Sequence, residues 1–108
     1  MRRWGFAVVR GTSMLPTLVD GDRLLVRYGA SACAGALAVV VLPGGVLAVK
    51  RLALREPAGW WVERDNPSEG TDSRSVGVIA FADVRAIVVC AVWPPRAVAR
   101  WWRPASRP

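Results

Sequence analysis

Apolar and polar positions follow one another along this chain in short runs, each cut by glycine, proline or a cluster of small polar residues. Residues 6–9, 23–28 (RLLVRY), 37–42 (LAVVVL) and 46–52 (VLAVKRL) have the length, β-branching and flanking breakers of strands. Pro43-Gly44-Gly45 between the last two is a hairpin signal. Residues 60–64 (WWVER) read as a further strand after the Pro57-Ala58-Gly59 turn, with Trp60 and Trp61 pointing to opposite faces. Residues 76–79 and 84–93 complete the set, the second open between helix and strand. The stretch 65–74 (DNPSEGTDSR) has no apolar anchor and reads as a loop. There is no internal repeat, and the rhythm predicts a mostly β, single-domain fold: a small antiparallel or mixed barrel, or a coiled sheet.

A length of 108 residues excludes a two-domain enzyme and allows a modest core with a surface cleft. The chain has no His, which removes Ser-His-Asp triads, Cys2His2 zinc sites and the zinc deaminase pattern together. Cys33 and Cys90 stand 57 positions apart in apolar company and read as small core or near-core residues, without metal or redox spacing. No metal, nucleotide or organic cofactor is expected.

The net charge of +7 is uneven: residues 1–19 carry three Arg and no acid, residues 85–108 five Arg and no acid, and residues 20–84 seven basic against eight acidic groups. A nearly neutral body with basic ends is expected, divided as a domain over 1–93 and a Pro/Arg/Trp-rich tail over 94–108. The ends suit an anionic membrane surface more than any specific nucleic acid, because aromatic residues do not interleave with a basic stripe in the body. Arg100-Trp101-Trp102-Arg103 is the stretch best suited to such a contact. The longest apolar run, 32–42, has 11 residues, and Arg10 and Gly11 cut the first apolar patch to six, so neither a spanning helix nor a secretion signal is expected.

The sharpest chemistry lies in residues 10–22 (RGTSMLPTLVDGD). Ser13 follows a Gly-Thr pair where a turn presents a hydroxyl, and Pro16 is placed to start a helical turn. Asp20 and Asp22 read as turn formers around Gly21. A serine needs a base, and without His the candidates are carboxylates or Lys50, the single lysine in a chain that otherwise uses Arg. Strand alternation places Lys50 on one face with Ala48 and Leu52, among apolar side chains, where desolvation would lower its pKa from about 10.4. Arg cannot give up its proton at such pH values and cannot act as a base.

Ser13-Met14-Leu15-Pro16-Thr17-Leu18 with Gly21-Asp22, then Lys50-Arg51, Asp65-Asn66, and Asp72-Ser73-Arg74 with Gly77 resemble the successive boxes of the type I signal peptidase family. The resemblance spans roughly residues 7–93 and is closest to the short branch described as nickel-type superoxide dismutase maturation proteases. It implies a small signal-peptidase-like β-barrel and a serine endopeptidase with a Ser-Lys dyad that removes an amino-terminal leader from a precursor, of nickel superoxide dismutase in that branch. In the wider family the substrates are secretory leaders at the plasma membrane.

Carried onto this sequence, the resemblance makes Ser13 the nucleophile and Lys50 the general base, with Met14 and Pro16 beside the substrate. Gly11 stands where some members supply a second oxyanion hydroxyl, a donor that is lost here or replaced by Thr12 or water. Asn66 shapes a supporting loop, and Asp72 and Arg74 match a structural ion pair. Arg64 replaces a family glycine and Gly70 a family serine that contacts the lysine, both bearing on how Lys50 is held. The expected location is cytoplasmic, peripheral at the inner face of the membrane, with the plasma membrane as the alternative. Self-cleaving repressor proteases share the Val49-Lys50-Arg51-Leu52 run, but only twelve residues precede Ser13, so self-processing is not expected. A non-catalytic basic binding module is the reading of a different class.

Overall fold

A computed structural model describes residues 3–68 and 73–94. Seven strands form one sheet: β1 (Trp4–Val8), β2 (Arg23–Tyr28), β3 (Leu37–Val41), β4 (Leu47–Glu56), β5 (Gly59–Glu63), β6 (Ile79–Ala80) and β7 (Val84–Trp93). A one-turn helix, α1 (Ser73–Val76), and a 3-10 turn (Phe81–Asp83) join β5 to β7. The sheet order is β1-β2-β7-β3-β4-β5-β6, and every pairing is antiparallel. Register shifts between Leu25 and Val26 and between Leu52 and Leu54 add local twist, and the sheet curls into a half-barrel. The expected β-rich single domain is what forms.

Strand alternation creates two apolar clusters. Leu24 and Val26 of β2, Leu37 of β3 and Ala86 and Val88 of β7 pack with Val9, Met14 and Leu18 from the segment after β1. Ala38 and Val40 of β3 pack with Leu52, Trp60, Val62 and Ile79 in the second cluster. Each fully buried aliphatic side chain of this kind contributes about 1.5–3 kcal/mol. The first cluster matters most for the site, because it anchors the loop that carries Ser13.

Several boundaries differ from the sequence reading. The fourth strand runs past Leu52 to Glu56, because residues 51–56 pair with β5 across a two-residue turn at Pro57-Ala58. Residues 84–93 form a strand, held by β2 on one side and β3 on the other. Residues 76–79 are not a strand: Val76 closes α1, Gly77 N–H donates to the Ser73 carbonyl, and only Ile79–Ala80 pair with β5. Ser73, expected in a bare loop, is buried because its hydroxyl accepts the Val62 N–H at 2.8 Å. Cys33, expected in or near the core, is exposed in the loop ahead of β3, while Cys90 is half-buried in β7, and both are free thiols. Trp60 is buried and Trp61 half-buried on the other face of β5. The tail residues after Pro94, with Trp101 and Trp102, lie outside the described residues.

Candidate active site

The serine loop is a closed excursion between β1 and β2. Its ends are clasped by Val9 N–H donating to the Asp22 carbonyl and Gly21 N–H donating to the Val9 carbonyl, each at 2.8 Å. Inside it, Leu18 N–H donates to the Met14 carbonyl at 2.9 Å, closing a five-residue turn around a cis Leu15-Pro16 peptide in place of the helical turn expected at Pro16. Met14 and Leu18, four apart, drop their side chains into the first cluster and peg that turn to the core. Asp22 is buried and its Oδ2 accepts the Val19 N–H, which makes it the turn former expected from Gly21-Asp22. Asp20 does more than form a turn: its Oδ1 accepts the Gly11 N–H at 2.7 Å, fixing the bend just ahead of the serine. Gly11 sits at φ +83°, a conformation that disfavours any side chain, so a hydroxyl-bearing residue there would be strained.

Lys50 comes to this loop from β4. It lies opposite Ala38 of β3, Ala48 lies opposite Val40, and Leu52 packs with both in the second cluster, so the alternation expected along β4 holds. Lys50 is 2% exposed, and its Nζ donates to Ser13 Oγ at 3.0 Å. Burial this complete strips hydration from the ammonium and favours the neutral amine. The two residues on which the sequence reading centred are thus brought within hydrogen-bond distance across 37 positions of chain.

The segment after β5 ties serine loop and lysine strand together. Asn66 N–H donates to the Ser13 carbonyl and Asn66 Nδ2 to the Thr12 carbonyl, both at 2.8 Å. The preceding residue, Asp65, accepts two bonds from Arg51, Nε at 2.9 Å and Nη2 at 2.7 Å, with both side chains nearly fully buried. Asp65 Oδ2 also accepts from Thr17 Oγ1 at 2.5 Å, and Arg51 Nη1 donates to the Gly35 carbonyl at 2.8 Å. Serine loop, Lys50 strand and β3 entry therefore meet on one bidentate ion pair. Arg64, the departure from a glycine, holds this segment by donating to the Asn66 and Pro67 carbonyls.

The ion pair is the feature that sequence reasoning missed. Asp72 was expected to pair with Arg74, but Asp72 and Gly70 lie outside the described residues, and Arg74 sits exposed on α1. The signal was present: Arg51 falls in an apolar strand two residues from either Val49 or Ala53, and a buried guanidinium requires a carboxylate. Thr12 is exposed at the rim of the loop. Among the described residues, no group of three or more His, Cys, Asp or Glu side chains is placed to hold a metal ion.

Ser13 and Lys50 open onto a cleft of about 620 Å³ on the open side of the half-barrel. One wall is Phe6, Ala7, Val8 and Val9 with the loop to Met14; the other is Val46, Leu47, Ala48 and Val49, leading to Lys50. Val26, Tyr28, Val39, Leu42 and Ala86 form the floor and ends, and among the described residues no carboxylate lines it. An apolar trough between an edge strand and a hairpin, with a hydroxyl and a buried amine at one end, is suited to holding an extended peptide for acyl transfer. Residues 3–81 match the sequence model of the Peptidase S24-like family. No curated protein matches the chain significantly.

Proposed function

From the premise that this chain belongs to the Peptidase S24-like family, we propose that it is a serine endopeptidase with Ser13 as nucleophile and Lys50 as general base. The observation that carries this reading is the 3.0 Å contact between the Ser13 hydroxyl and a buried Lys50 amine at the end of an apolar cleft. Neutral Lys50 takes the hydroxyl proton as Oγ bonds to the peptide carbonyl carbon. The Ser13 N–H, with Thr12 or water in place of a hydroxyl at Gly11, stabilises the oxyanion. The tetrahedral adduct collapses, the C–N bond breaks, and the Lys50 ammonium returns the proton to the leaving amine. Lys50 then draws a proton from water as its oxygen attacks the ester carbonyl; the C–Oγ bond breaks, the Lys50 ammonium returns the proton to Ser13 Oγ, and the carboxylic acid product leaves.

The substrate in this reading is an amino-terminal leader bound as an extended strand along the edge of β1, with small apolar side chains in the trough. The resemblance of the Ser13, Lys50 and Asp65-Asn66 boxes to the maturation protease branch supports a nickel superoxide dismutase precursor as that substrate. A secretory leader cut at the plasma membrane is the alternative within the same chemistry. Among the described residues no helix is long and apolar enough to cross a membrane. We place the protein in the cytoplasm, touching the inner membrane face through its basic ends. That contact is supported by β1, β2 and β7, which together carry exposed Trp4, Arg23, Arg27 and Trp93 and no carboxylate.

The test is cleavage of precursor leader peptides by the purified protein, read by mass spectrometry beside Ser13→Ala and Lys50→Arg. The parent should cut at one bond and both variants should lose at least about a thousandfold in rate. Cutting by either variant at the parental rate would overturn the dyad.

A further inference from the structure

Tyr28 ends β2 on the face that looks into the cleft, opposite Ala86 of β7, and its ring lies over Gly5 of β1. A Cβ placed on Gly5 would come within 2.7 Å of Tyr28 Cε2 and of its hydroxyl, so the ring occupies the space that a β1 side chain would fill. Moving along β1 from the serine loop, the inward positions are Val9, Ala7 and then Gly5 with Tyr28 upon it. The trough thus has Val9 and Ala7 on its β1 side near Ser13 and an aromatic ring across it four residues away. At the spacing of extended chain that is about 13 Å from Val9.

We infer that Tyr28, seated on Gly5, is a specificity-determining residue that closes the far end of the cleft and limits the side chain accepted there to a small one. The inference rests on the cleft being the peptide site. A strand laid along β1 turns alternate side chains into the trough, and the one that reaches Tyr28 meets a ring backed by the β1 backbone instead of open space. Glycine, alanine or serine fits beneath it, whereas a branched or aromatic side chain must displace the ring or lift the strand. Ring and glycine act as a pair. Any side chain at position 5 would push the ring into the cleft, and a smaller residue at position 28 would open the far end.

The experiment is to digest a pool of synthetic peptides of mixed sequence with the parent, Tyr28→Ala, Tyr28→Phe and Gly5→Ala, and to score residue preference at each position on both sides of the cut by mass spectrometry. Tyr28 is half-exposed, so its truncation leaves the core intact. The parent should discriminate against bulky residues by about ten-fold or more at one position roughly four residues from the cut. Tyr28→Ala should abolish discrimination at that position alone, bringing the ratio of rates for bulky and alanine-bearing peptides there close to one, and Tyr28→Phe should keep the parental profile. Gly5→Ala should alter preference at the same position. Parental discrimination in Tyr28→Ala, or an equal loss for every peptide, overturns the role of Tyr28 while the peptidase reading stands. No cleavage by the parent sinks both.

Discussion

Asp65 carries an unusual share of the site for one carboxylate. It receives two bonds from Arg51 and one from Thr17, and so joins the strand holding Lys50 to the turn following Ser13. Removing one partner of a buried ion pair leaves the other charge uncompensated, at a cost of about 3–5 kcal/mol. Asp65→Ala should therefore lower stability by that order, measured by urea unfolding, and a change under about 1 kcal/mol would show that the pair is not closed in solution. Asn66 acts more locally. Asn66→Ala removes the bond to the Thr12 carbonyl and the bond that Oδ1 accepts from Ser68 N–H, while the backbone bond to Ser13 survives. If Ser13 is the nucleophile, we expect about 1 kcal/mol of stability loss with a larger fall in kcat than any rise in KM, because the serine loop loosens. Equal changes in kcat and KM would assign Asn66 to substrate binding instead.

Among the elements, the serine loop depends on the first cluster for its shape. Met14→Ala should cost about 2–5 kcal/mol by the cavity it opens, and Thr12→Ala, at an exposed rim, well under 1 kcal/mol, both checked by thermal unfolding. A Met14→Ala loss below that of Thr12→Ala would mean that the turn is not pegged as described. The strands were readable in the sequence because each run of residues between breakers is short and β-branched, and because Pro43-Gly44-Gly45 sets the β3–β4 hairpin. What was not readable depended on partners distant in sequence. Residues 53–56 join β4 only because β5 returns beside them, and Ser73 is buried only because Val62 N–H needs its hydroxyl. Residues 76–79 have strand-like composition, yet the helical bond between Ser73 and Gly77 takes their first half.

For the molecule as a whole, the curl of the sheet converts sequence distance into a site. β1 and β4 are separated in the sheet by β2, β7 and β3, yet their residues face each other across the cleft. Ser13 and Lys50 were legible because the chain offers one lysine, no histidine and a serine behind a Gly-Thr pair, which leaves few chemical alternatives. The ion pair beside them was only half legible: Arg51 in an apolar strand calls for a carboxylate, but which one is decided by the fold, which brings Asp65 to it from the segment after β5. The outer surface leads to a separate expectation. Arg27 lies 5.2 Å from the Trp4 ring centroid, and the three strands around them carry no acid. The full chain should sediment with anionic phosphatidylserine vesicles at physiological ionic strength, lose that binding progressively as salt is raised above it, and keep it in Ser13→Ala. Equal binding to neutral phosphatidylcholine vesicles would remove charge from the explanation.

The proposal that Lys50 works as a neutral base on Ser13 is tested by the pH dependence of kcat/KM on a cleaved leader peptide. Only the unprotonated amine can accept the hydroxyl proton, and burial favours that form, so kcat/KM should rise with pH and level off below the ordinary lysine range of about 10.4. Lys50→Arg, which cannot deprotonate, should stay inactive throughout, and Ser13→Ala should match it. A rate that is flat with pH, or that persists in Lys50→Arg at high pH, would contradict the account.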